Sequence, residues 1–173
     1  MTWTVPEVVS PGSAPWCLFA AMALLGRAAD LVSTYIATPH LALEGNPLAR
    51  RLGWRWGIPL NLVASLGIGC FPSLAIAVAT TSALVAARNF QNAWLMRSMG
   101  EGGYRVWMSE RLDRVPRRWP AGCFAAESFL TLLPGLALLV FAESGGVAQS
   151  VGMGITAYAA AVALFTLMAL WRR

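Results

Sequence analysis

The chain has 173 residues, of which 57% are hydrophobic and only 12% charged, with a formal net charge of +5. A soluble domain carries about 25% charged residues, and the apolar residues here gather in long runs, so the sequence describes a membrane protein rather than a water-soluble domain. All 13 basic residues are arginine and most of them flank the apolar runs, where orienting charge belongs, so the positive charge does not point to nucleic acid.

Met1–Pro15 contains no arginine or lysine. A cleavable signal needs a basic start, so the first apolar run is expected to stay as a helix. That span covers 16–37, with Pro15 suited to a first helical turn and Pro39 just past the end. The second covers 58–87, longer than the ~20 residues that cross the hydrocarbon and too short for two crossings and a turn. It reads as one long helix bent at Pro72. The third covers 121–142 with Pro134 inside, and the fourth 147–171. Glu143–Gly146 is a tight turn, making the last two spans an antiparallel hairpin. The fold class expected is all-α: a four-span transmembrane helical bundle with short interfacial helices, forming one integral membrane domain over 1–173.

Two connections carry structure of their own. Between the first two spans, Asn46 and Pro47 suit the cap and first residue of a short helix reaching about to Trp56. The connection 88–120 holds seven arginines, and Tyr104, Trp107, Met108, Arg111, Leu112 and Val115 fall at helical spacing with the apolar residues on one face. Such a helix lies in the headgroup layer and favours membrane lipids with anionic headgroups as partners. Gly100, Gly102 and Gly103 separate it from the preceding span. With four spans, both termini share a side with this connection, which gives nine arginines against Arg50, Arg51 and Arg55 on the other side. The positive-inside rule then places both termini in the cytoplasm.

Few strongly polar groups fall inside the spans. Arg27, Asp30 and Glu127 form an expected intramembrane charge network, because a charge at the bilayer centre costs about 2.5–3.5 kcal/mol even on the gentlest scale. Arg27 and Asp30 share a helix face. Asp30 lies about 12 Å below the outer end of its span and Glu127 about 9 Å from the cytoplasmic end of its own. The carboxylates are therefore not expected to touch, while Arg27 lies between them and can reach either. A second set, Asp30, Thr34, Glu44, Asn46, Asn61 and Ser65, is placed to converge on one outward-facing polar pocket. Such a pocket suits a proton, a small cation or a polar headgroup. Within it, Asn46 reads equally as a helix cap and Glu44 as a partner of Arg50 or Arg51.

His40, the only histidine, reads as a solvated loop residue. Cys17, Cys70 and Cys123 are far apart in apolar context and read as buried inert thiols, so neither a metal nor any other cofactor is expected. Hydrolase, zinc-protease and nucleotide-binding signatures are absent.

The stretch Asp30–Leu48, D-L-V-S-T-Y-I-A-T-P-H-L-A-L-E-G-N-P-L, resembles a pattern in a family of small prokaryotic integral membrane proteins of unknown function. In that pattern an Asp and a Thr in the first span precede an outside Glu-x-Asn-Pro-Leu, here Asp30, Thr34, Glu44, Asn46, Pro47 and Leu48. The resemblance covers about a ninth of the chain together with its general hydropathy. It implies a multi-pass protein of the bacterial inner (plasma) membrane and no particular reaction.

Three functions fit these residues. The first is a non-catalytic accessory or assembly component, in a homo-oligomer or a larger membrane complex. The second is a small proton- or cation-coupled transporter using the intramembrane Asp and Glu. The third is an intramembrane enzyme acting on a lipid or lipid-linked substrate, with Asp30 or Glu44 as acid/base.

Overall fold

A computed structural model describes residues 5–171, with side chains to Met168. Among the described residues there are five α-helices and no strands: α1 (Ala14–Ala37), α2 (Pro47–Ile68), α3 (Pro72–Asp113), α4 (Arg118–Phe141) and α5 (Val147–Trp171). Four of them, α1, α3, α4 and α5, are long and apolar enough to cross a membrane. The chain is a multi-pass membrane protein.

Local chemistry sets the helix starts. Ser13 caps α1 by accepting the Trp16 N–H. Asn46 caps α2 by accepting the N–H groups of Leu48 and Ala49, and Pro47 follows as the first helical residue. Two helices are broken by glycines with positive φ, Gly53 in α2 (φ 60°) and Gly100 in α3 (φ 69°). An L side chain disfavours that conformation, so the chain changes direction where only glycine does so freely.

The expected second span is not one helix bent at Pro72. α2 ends at Ile68, the chain turns through Gly69, Cys70 and Phe71, and Pro72 opens α3. The turn is held by Phe71 N–H donating to the Ile68 carbonyl (2.8 Å) and Val9 N–H donating to the Cys70 carbonyl (2.9 Å). Proline at this point starts a helix, where its missing N–H costs nothing.

Contacts along α1 give the helix directions. Trp16 meets Leu66 and Tyr35 stacks edge-on against Trp54, so α2 runs back along α1. Ala20 meets Gly69, Gly26 meets Ala79, and Ser33 and Thr34 meet Asn89, so α3 runs parallel to α1. Gly135 against Thr156 and Gly152 against Leu138 make α4 and α5 antiparallel. Val5 N–H donates to the Gly145 carbonyl, which brings the N-terminal segment and both hairpin turns to one end of the bundle.

The N-terminal segment and the C-terminal end of α5 therefore lie at opposite ends of the helix pattern. Arg50 and Arg51 of α2 fall at the same end as the segment after Gly100, where Arg105 donates to the Ala42 carbonyl. Because α2 runs back along α1, these arginines gather at the same end of the bundle as those of the connection 88–120. Arg172 and Arg173 lie outside the described residues.

The interior is built from small side chains. Ala23 and Ala75 have no exposed surface and Ser33, Ser65, Ser82 and Ser150 are buried, whereas Leu25 and Phe141 are 72% and 87% exposed. In lipid the large apolar groups gain nothing by facing inward, and small residues let backbones approach closely. Cys17 and Cys123 are exposed and Cys70 is half-buried, so the thiols are free but not the buried set expected. Gly26 is the tightest example on α1: a Cβ there would lie 2.8 Å from the Ala79 Cα. Gly26→Val is expected to lower stability by about 1–3 kcal/mol in denaturant unfolding in micelles, through overpacking. Gly57→Ala, where nothing lies within 4 Å, is expected to leave stability unchanged or slightly raised.

Candidate functional site: an intramembrane arginine shared by three helices

Arg27 sits midway along α1, a helix long and apolar enough to cross a membrane, where a guanidinium needs partners from the protein. It finds three partners in the bundle. Nη1 donates to Asp30 Oδ2 on its own helix (2.7 Å) and to Ser82 Oγ on α3 (3.3 Å), and Nε donates to Asn61 Oδ1 on α2 (2.7 Å). Asp30 is 15% and Arg27 31% exposed. Asn61 and Ser65 make further bonds within α2. Asn61 Nδ2 donates to the Gly57 carbonyl, and Ser65 Oγ to the Asn61 carbonyl, both at 2.7 Å. One turn further along α1, Asn89 Nδ2 donates to Ser33 Oγ (3.2 Å) and Thr34 Oγ1 (3.1 Å).

Two of the expected groupings change. Glu127 does not join Arg27 and Asp30. Its Oε1 accepts from Arg88 Nη1 at 2.6 Å, an α3–α4 pair. Arg88 falls in the connection expected after the second span, yet α3 continues as helix through this point and carries it to α4.

The six residues of the expected pocket also divide. Asp30 and Asn61 meet through Arg27, and Ser65 is tied to the backbone of Asn61. Thr34 is held by Asn89, and Asn46 is spent on capping α2. Glu44 sits in the loop before α2 and accepts the Asn46 N–H (2.8 Å). Burial pushes its carboxyl above the ordinary glutamate range. The Asn46 N–H bond opposes this, while the Asp30 carboxylate adds to the rise.

Ser82, Asn89 and Arg88 escaped the sequence reading. A serine in an apolar run is common and carries no signal of its own. Asn89 is seven residues, two turns, after Ser82 and so shares its face, a spacing that becomes informative once α3 is known to lie beside α1. His40 is 86% exposed and faces the Glu101 carboxylate through Nδ1 at 3.4 Å.

No protein-family model, curated protein or solved structure matches the chain.

The pairing is open to a double-mutant cycle. Arg27→Met leaves Asp30 without its cation and Asp30→Leu leaves Arg27 without its anion. Each is expected to cost about 3–5 kcal/mol, as when one partner of a buried pair is removed. The combined variant is expected to be more stable than either single variant in micelle unfolding. Additive losses would show that the pair is not coupled.

Proposed function

We propose that the chain is a non-catalytic membrane protein, an accessory or assembly component, in which the intramembrane charges serve to lock helices rather than to move a substrate. The observation that carries this reading is that Arg27 bonds to partners on three helices. Its Nε and Nη1 donate to partners on α1, α2 and α3, and the carboxylate nearest to it is used in that pairing. A group that releases and rebinds a proton or ion needs a partner it can exchange, and these partners are neighbours fixed by packing.

The proposed setting is a prokaryotic plasma membrane with the arginine-rich end in the cytoplasm. Arg50, Arg51, Arg55, Arg97, Arg105, Arg111, Arg114, Arg117 and Arg118 fall towards one end of the helix pattern, while the segments 5–13, 69–71 and 142–146 hold Glu7 and Glu143 and no arginine. This asymmetry supports α2 as a fifth crossing, with Arg55 against the Trp56 ring at the boundary. The N-terminus is then outside and the C-terminus inside, in place of two cytoplasmic termini.

A second reading, a proton-coupled carrier, is favoured by one feature, the influence of the Asp30 carboxylate on the half-buried Glu44. The two readings separate in a deletion strain. The paired variant Arg27→Met with Asp30→Leu, and Glu44→Gln, are expected to restore the wild-type phenotype at normal membrane levels, with no proton flux in proteoliposomes above protein-free vesicles. Loss of the phenotype by a paired variant that still accumulates, together with flux by the wild-type chain, would replace the first reading with the second. Reporter fusions check the orientation independently, with opposite sides expected for the two termini.

A further inference from the structure

Where α1 ends, Ala37, Pro39, His40, Met96, Arg97 and Glu101 line a half-open cavity of about 340 Å³, within the size range of small-molecule sites. Its depth follows from α3. Arg97 is 25 residues past Pro72, about 37 Å along the helix. The hydrocarbon core is about 30 Å thick and the bilayer with its headgroups about 40–45 Å. With Pro72 at one boundary, the cavity opens into the headgroup layer of the other leaflet.

The wall is divided chemically. Ala37, Pro39 and Met96 give an apolar side. Arg97 is exposed and makes no ion pair among the described residues. Opposite charge comes from Glu101, which the backbone break at Gly100 turns back towards the end of α1. Glu101 Oε1 is occupied, accepting Thr38 Oγ1 (2.7 Å) and His40 N–H (2.9 Å). Oε2 has only the 3.4 Å approach of His40 Nδ1. The site thus offers one guanidinium and one under-used carboxylate oxygen beside an apolar strip.

We propose that this cavity takes the phosphoethanolamine headgroup of a membrane lipid. The phosphate accepts from Arg97, as guanidinium and phosphate geometry favour. The primary ammonium donates to Glu101 Oε2, and the first methylenes of the lipid lie along Met96 and Pro39. A choline headgroup has no N–H to donate. A glycerol headgroup brings no cation to Glu101, so general attraction of anionic lipid by the arginine-rich end does not reproduce this selectivity.

The test uses the full chain purified in non-ionic detergent, with phosphatidylethanolamine, phosphatidylcholine or phosphatidylglycerol of identical acyl chains, and retained lipid read by native mass spectrometry. Phosphatidylethanolamine is expected to be retained about tenfold better than either competitor, the factor that a charge-assisted hydrogen bond supplies. Arg97→Gln and Glu101→Gln are each expected to remove the preference. Arg111→Gln, whose guanidinium lies over the Trp107 ring and outside the cavity, is expected to keep it. If Glu101→Gln loosens the loop, seen as a lower melting temperature, Arg97→Gln decides alone. Displacement of the lipid by soluble phosphoethanolamine but not by inorganic phosphate also supports the site. Equal displacement by inorganic phosphate, retention of phosphatidylglycerol as good as phosphatidylethanolamine, or an unchanged preference in Arg97→Gln would each overturn it.

Discussion

A guanidinium inside a bilayer must find its hydrogen-bond partners in the protein, and Arg27 finds them on helices that are distant in sequence. Asn61 and Ser82 both bond to it. In a continuous helix these two residues would be about 31 Å apart. One guanidinium reaches both only if the chain folds back between them. The turn at Gly69–Phe71 and the parallel run of α1 and α3 are therefore the arrangement in which this charge is satisfied.

The rest of the bundle is consistent with that constraint. Close approach is needed for short polar side chains to reach across helices, and the interior supplies it with alanine, glycine and serine while leucine and phenylalanine face outward. Thr81 Oγ1, accepting no distant charge, donates to the Gly154 carbonyl at 2.8 Å and ties α5 to α3. At the headgroup layer the same parallel run carries α3 past the end of α1. There Glu101 meets Thr38 and His40, and Tyr104 is buried. The return of α2 also gathers Arg50 and Arg51 with the arginines that follow Gly100, so one fold-back sets both the polar packing and the charge asymmetry.

Much of this was legible in the sequence. Pro15 and Pro39 bracket α1, Asn46 and Pro47 announce the start of α2, and Glu143–Gly146 marks the α4–α5 turn, because each is a local signal that acts within a few residues. The fold-back was not legible. The apolar part of α2 after Gly57 joins the start of α3 in one apolar run, and Gly69–Cys70–Phe71 carries no polar punctuation. Arg50, Arg51 and Arg55 make the first half of α2 read as loop, and Pro72 suits a kink as well as a helix start. The same continuous reading groups Glu127 with Arg27, since it leaves Arg88, the partner Glu127 finds, outside the span. Arg27 and Asp30 were recognisable as a pair from their spacing. Ser82 and Asn89 were not, because their partners are fixed only by how helices pack.

The fold-back is the claim on which the account stands, and Phe71, 49% exposed in the turn, reports it directly. Phe71→Cys in a background with Cys17, Cys70 and Cys123 replaced by alanine can be treated with a membrane-impermeant maleimide. The account predicts modification in intact cells, as at a turn on the arginine-free face. Protection in intact cells and in inside-out vesicles alike, with reaction only after unfolding, would place residue 71 within the bilayer on a continuous helix and contradict it.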